Sequence, residues 1–159
     1  MADHQTTLFV NTDGGARGNP GPSAIGVVFT MADQEVFTHS RFLGDATNNV
    51  AEYQALIDAL EKIPPFLTEH NATSHITIRM DSELVVKQLA GIYRIKEPHL
   101  QTLAASVRSH LQALSIPYNI THVLRAQNKR ADQLVNLALD NPSPSHVSTT
   151  HQSTESEGA

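Results

Sequence analysis

The chain changes hydrophobic period several times, and the changes mark its elements. An apolar run, Leu8-Phe9-Val10, ends at Asp13, and a loop rich in glycine and proline separates it from a second apolar run that begins at Ala24. This reads as strand, wide turn, strand. Residues 7–12 and 23–30 are predicted as the first two strands and 35–42 as a third, together an antiparallel meander. The period then lengthens. Glu52, Leu56, Ala59 and Ile63 recur at steps of four, three and four, one stripe of a helix over 48–63. Thr47 or Asn48 is its N-cap, and Pro64-Pro65 its expected stop. HITIRM over 75–80 alternates as a strand, and 82–90 is a short helix closed by Gly91. Pro98 opens a longer helix striped by Leu100, Leu103, Val107, Leu111 and Leu114. A strand over 117–124 and a last helix from an Asn128 cap to about Leu139 complete the order β-β-β-α-β-α-α-β-α. Beyond Asn141 the composition turns to Ser, Thr, Pro, His and Glu, so 141–159 is expected to be a disordered polar tail behind one domain over 1–140.

Composition narrows the chemistry. There is no cysteine, hence no disulfide, thiolate nucleophile or Cys-ligated zinc, and the nine histidines show no pair at helical metal-ligand spacing. No apolar run reaches membrane-spanning length, and no basic-then-apolar leader opens the chain, so a cytoplasmic monomer without a membrane partner is expected. The net charge of −5 argues against holding nucleic acid by bulk positive charge. It leaves room for a site that gathers acids around divalent cations.

Four acids stand where such a site needs them. Asp13 and Asp81 each close an apolar strand; if those strands are parallel neighbours, both acids lie at the carboxyl edge of the sheet, where open α/β sheets bind ligands. The ordinary readings are a turn residue for Asp13 and a helix cap for Asp81. Glu52 and Asp132 fall in the first turns of two helices, on their apolar faces. A helix-dipole role is the ordinary reading there. Facing inward counts against it, because buried acids are paired or metal-bound. Four converging carboxylates repel one another unless cations neutralise them, and an all-oxygen set suits Mg²⁺ or Mn²⁺.

TDGGARGNPGPSAIGVV, TNNVAEYQAL, MDSELVVKQL and NKRADQLVNLA, in this order and spacing over about residues 6 to 140, resemble the successive signatures of type 1 ribonuclease H. The resemblance implies an α/β fold, a mixed five-stranded sheet (three antiparallel strands plus two parallel) flanked by helices. It implies an endonuclease that cuts the RNA strand of an RNA/DNA hybrid to 5′-phosphate and 3′-hydroxyl ends, using two divalent ions about 4 Å apart. The metal ligands would be Asp13, Glu52, Asp81 and Asp132. Gly14, Gly15, Asn19, Thr47, Asn48 and Asn49 would contact substrate, the amides reading ribose 2′-hydroxyls in the shallow minor groove. Alternatives are a nuclease of the same fold with RNA/RNA or DNA substrates, and a hybrid-binding module without chemistry. Two features depart from many family members. The stretch between Val123 and Asp132 holds no histidine, which directs attention to Arg125 as a phosphate-facing catalytic group, and the 92–97 connector is too short for a basic insertion. Hybrid binding with a shallow salt dependence is the consequence.

Overall fold

The computed structural model describes residues 6–142 and 146–149. Ten principal elements follow in chain order. They are β1 (Thr7–Ala16), β2 (Gly21–Met31), β3 (Gln34–Ala46), α1 (Asn48–Glu69), β4 (His75–Met80), α2 (Glu83–Leu89), α3 (Pro98–Gln112), β5 (Tyr118–His122), α4 (Lys129–Asp140) and β6 (His146–Thr149). The sheet order is β5-β4-β1-β2-β3-β6. β1 pairs antiparallel with β2 and parallel with β4, β5 continues parallel to β4, and β3 lies antiparallel to β2. The expected mixed sheet of five strands is present.

The two sheet faces bury different things. Leu8, Val10, Ile25, Val27, Phe29, Ile76, Ile78 and Met80 point to one side and meet Leu56, Leu60 and Ile63 of α1, with Leu100, Val107 and Leu111 of α3 packed behind. The core is mostly aliphatic, with Tyr53, Phe29 and Phe66 as its buried aromatics. The other face is covered by α4, whose Ala131, Leu134, Val135 and Ala138 sit on Ala24 and Val28 of β2.

Three expectations are corrected. First, α1 does not stop at Pro64-Pro65; both prolines lie inside it, and it runs to Glu69. Interior proline costs a helix about 3 kcal/mol. The extension is held by Phe66, 7% exposed, whose ring meets Phe29 edge-on and stacks on His70. Second, β1 continues past Asp13 to Ala16, because the glycine loop is the tip of a long hairpin with Asp13 opposite Gly26. Third, part of the expected polar tail is a strand: β6 pairs antiparallel with β3 through Phe37–Thr149 to Ser40–His146. The outer edge of β3 offers unpaired N–H and C=O groups, a template for any extended segment within reach. Residues 143–145 and 150–159 of that tail lie outside the described residues.

Candidate active site

The parallel pairing of β1 with β4 ends at Thr12 and Met80, so Asp13 and Asp81 emerge side by side from neighbouring strands at the carboxyl edge. Asp81 is not the cap of α2. Ser82 is, its hydroxyl accepting from the Val85 N–H at 3.3 Å, which leaves the Asp81 carboxylate to the site. Two helices then approach Asp13 from opposite faces, and a missing β-carbon admits each. A β-carbon on Gly14 would run into the Ala51 carbonyl of α1, and one on Gly26 into the Ala131 carbonyl of α4. The residue after Asp13 and the residue opposite it are thus where α1 and α4 press closest on the sheet, bringing Glu52 and Asp132 to the same place. Gly14, read from sequence as a substrate contact, has its α-carbon against α1; its N–H donates to Glu52 Oε1 at 3.2 Å.

Oxygens of Asp13, Glu52 and Asp81 all lie within 4.8 Å of one another, and Asp132 joins through a hydrogen bond to Asp13. All four line one cleft of about 400 Å³, together with Gly15, Arg17, Asn48, Arg125 and Asn136. Burial, then the charges of Asp81 and Asp132, push the Asp13 carboxyl up to about 8. Glu52 is held well above the carboxylate range by burial and by the charges of Asp13 and Asp81; the Gly14 N–H and the charge of Arg125 work weakly the other way. Without an added cation Asp13 and Glu52 are shifted toward their protonated forms. The donors are carboxylate oxygens only, the hard set that Mg²⁺ and Mn²⁺ prefer, so residues and metal fit.

The remaining expected residues fall beside the quartet. Thr47 caps α1, accepting from the Val50 N–H at 3.2 Å. Asn19 Oδ1 accepts from the Asn48 N–H, and Asn48 Oδ1 from the Ala16 N–H, both at 2.9 Å. The two side chains fasten the hairpin tip to the start of α1 through their carbonyl oxygens, and their amino groups are left to donate outward. Asn49 is exposed on the first turn of α1. Arg125 opens a short 3₁₀ turn after β5 and lines the cleft.

Asn128 holds the N-cap position of α4 as expected, but its side chain makes no cap bond there and is used elsewhere. It is 1% exposed, accepts from Asn11 Nδ2 and donates to the Thr12 carbonyl, both at 2.9 Å, while its own carbonyl accepts from the Asp132 N–H at 3.1 Å. It ties the strand that ends in Asp13 to the helix that carries Asp132. Local sequence held no signal for this, since the side-chain partners lie more than a hundred residues away.

A mixed sheet with four carboxylates at its carboxyl edge, flanked by amide donors, has the all-oxygen chemistry to suit a hard divalent cation beside a polar cleft. A family model described as "Reverse transcriptase-like" matches residues 11–138. Ribonuclease HI of Halobacterium salinarum is 43% identical over 129 residues, 80% of this chain and 62% of that protein. The bifunctional protein Rv2228c of Mycobacterium tuberculosis is 38% identical over 84% of this chain and 35% of its own length. The chain therefore spans between about a third and three fifths of these relatives. Among solved structures, LC11-RNase H1 in complex with an RNA/DNA hybrid superposes with a TM-score of 0.79 at 42% identity, covering 85% of this chain and 98% of that one. The chain belongs to the type 1 ribonuclease H family, a metal-dependent family. No helix among the described residues is long and apolar enough to cross a membrane.

Proposed function

We propose that the protein is an endonuclease that hydrolyses the RNA strand of RNA/DNA hybrids, leaving 5′-phosphate and 3′-hydroxyl ends. The observation that carries this reading is the convergence of Asp13, Glu52, Asp81 and Asp132 in one cleft, with Asp13 raised to about 8 by burial and by the charges of Asp81 and Asp132. It is supported by the hybrid held by LC11-RNase H1.

Asp13, Glu52, Asp81 and Asp132 would hold two divalent ions, Mg²⁺ or Mn²⁺, which supply Lewis acidity at the attacking water and the scissile phosphate and neutralise charge there. Asp13, which bonds Asp132 and feels the charges of its neighbours, would be one of the ligands. Burial by α1 and α4 fixes the carboxylates before substrate arrives, so little reorganisation is left to the reaction. The amino groups of Asn19 and Asn48, with Asn49 beside them, donate to ribose 2′-hydroxyls and base edges, which is how the RNA strand is distinguished. Thr47 and the backbone N–H groups at the start of α1 suit a phosphate of the DNA strand. Arg125, whose charge is felt by Glu52, faces the scissile or departing phosphate. The protein acts as a monomer.

The test is cleavage of labelled RNA/DNA, RNA/RNA and DNA/DNA duplexes with Mg²⁺ or Mn²⁺, beside Asp13→Asn. Cutting confined to the RNA of the hybrid and lost in the variant supports the reading. Equal cutting of all-DNA duplex, or none with either metal, overturns it.

A further inference from the structure

The proposed substrate is a polyanion, and the cleft that receives it is lined by four carboxylates. Divalent ions neutralise the quartet and the phosphate between them, but the phosphates on either side still face an acidic wall. Among the described residues lining the cleft, two are cationic: Arg125 and Arg17. The charge of Arg125 is felt by Glu52. Arg17 lies at the tip of the β1–β2 hairpin and reaches across to the last turns of α4. There its Nη2 pairs with Asp140 Oδ1 at 2.8 Å and donates to Asn136 Oδ1 at 3.3 Å.

We infer that Arg17 is a substrate-binding residue that exchanges Asp140 for a phosphate of the RNA strand next to the scissile one. This rests on the hybrid-cleaving reading above. Three observations carry it. The first is position: Arg17 shares its loop with Asn19 and lines the same cleft as Asn48, the two amides proposed to read ribose, so the phosphates nearest it are those of the strand they read. The second is that the backbone is held while the side chain is not. The Arg17 N–H bonds the Pro22 carbonyl at 2.8 Å, and a β-carbon on Gly21 would strike the Arg17 carbonyl, so the tip is closed tightly on itself. The third is the weakness of the present partner. The side chains of Arg17 and Asp140 are 49% and 61% exposed, and an ion pair so wet contributes little. A phosphate accepts two parallel guanidinium bonds and carries its charge on oxygens that cannot turn away. Exchange therefore costs little and restores more than it removes.

The ordinary reading of such a pair is a clasp that fastens the hairpin to α4, and one comparison separates the two. A clasp is broken equally from either side, so Arg17→Ala and Asp140→Asn would impair the protein alike. A phosphate ligand is lost only with Arg17, and Asp140→Asn frees it. Steady-state cleavage of a hybrid by the full chain is measured for the unaltered protein, Arg17→Ala, Arg17→Lys and Asp140→Asn from low to moderate salt. Arg17→Ala is expected to raise KM about three- to tenfold with kcat within twofold, and to reduce the salt slope of log KM by about 0.7 to 0.9, one phosphate contact. Arg17→Lys recovers part of the KM, and Asp140→Asn leaves it unchanged or lowers it. Placing one neutral methylphosphonate at successive positions of the RNA strand should abolish the Arg17→Ala penalty at a single position. An unchanged KM in Arg17→Ala overturns the inference, as does a loss in Asp140→Asn that matches it. A penalty relieved only by neutral linkages in the DNA strand overturns the strand assignment. Failure of the unaltered protein to cut hybrid at all sinks the activity instead, and is seen before any variant is compared.

Discussion

Glu52 and Asp58 lie on the same helix, less than two turns apart, and their carboxylates are fitted in opposite ways. Asp58 is 3% exposed and fully partnered. Arg41 donates through Nε to Oδ2 and through Nη2 to Oδ1, both at 2.8 Å; His39 Nε2 lies 2.9 Å from Oδ2, and Gln54 donates to Oδ1 at 3.0 Å. Burial alone would raise this carboxyl; the bonds from Arg41, His39 and Gln54 outweigh it and hold the group below its ordinary range. Glu52 has one backbone N–H and a distant arginine, and is held up with Asp13. A buried acid that the chain satisfies itself is part of the fold. A buried acid that the chain leaves wanting a cation marks where something from outside must bind. Burial does not distinguish the two, but the partner count does.

The largest test of this contrast is a pair of opposite outcomes from similar changes. Asp13→Asn should reduce hybrid cleavage by about 10³-fold or more, the scale on which lost electrostatic stabilisation is felt. In EDTA at pH 8 the same variant should melt higher than the parent, because an amide removes a carboxylate that repels its neighbours. Lower stability of Asp13→Asn under those conditions would break the comparison. Asp58→Ala should do the reverse, losing about 3 kcal/mol in denaturant titration while the folded fraction keeps its turnover. The low end of the range for a broken buried pair applies, since the Arg41 side chain stays 34% exposed.

How much of this could be read from sequence follows from how local each signal is. The strand-end acid Asp81 and the inward acids Glu52 and Asp132 announce themselves within one element, through periodicity and, for Asp132, position in the first turn; Glu52, expected there too, stands beyond the first turn of α1. Asp13 was found by the same rule although β1 runs on past it, because what ends there is the pairing with β4. Asp58 offered nothing: its partners Arg41 and His39 come from β3, and along α1 its partner is the neutral Gln54. Gly14 and Gly26 read as turn and strand residues, and their role as the points of closest helix approach exists only when α1 and α4 are docked. The helix beyond Pro64-Pro65 depends on where Phe66 goes, and β6 on an edge that β3 presents. Each missed feature is a tertiary contact that overrode a local propensity.

The pH dependence of stability sharpens the contrast further. In the unfolded chain Asp13 ionises near 3.8, whereas folded it holds its proton until about 8. Between these values the folded state binds more protons than the unfolded one. The metal-free protein should therefore lose stability as pH rises from about 4 to 8, by at most about 1.4 kcal/mol per pH unit for one proton. Asp58 has the other sign. Its folded value lies below the unfolded one, so its contribution is present above about 4 and is lost only as pH falls through the folded value. Saturating Mg²⁺, or Asp13→Asn, should flatten the slope between 5 and 8. A metal-free melting temperature that is flat or rising over that window would falsify the assignment of Asp13 as protonated.

The smallest expected effect concerns how the unsatisfied cluster is kept in register, and it falls on Asn128. Carboxylates that repel one another should drift apart unless something other than their own attraction holds them, and for Asp13 and Asp132 the buried amide of Asn128 spans β1 and α4. Asn128→Ala leaves the Thr12 carbonyl without this donor and Asn11 Nδ2 without its acceptor, at a cost of about 1 kcal/mol in stability. A loss of fold alone would stop there. A loss of register should also raise the metal concentration for half-maximal cleavage about tenfold, as removal of an outer-shell partner does. At saturating metal kcat should largely return. Asn11→Ala, which breaks one of the two bonds and keeps the bridge from Asn128 to Thr12, should shift the metal requirement by less. If both variants lose stability with an unchanged metal requirement, Asn128 belongs with Asp58 among the groups that hold the fold. The quartet is then kept together by the docking of α1 and α4 at Gly14 and Gly26 alone.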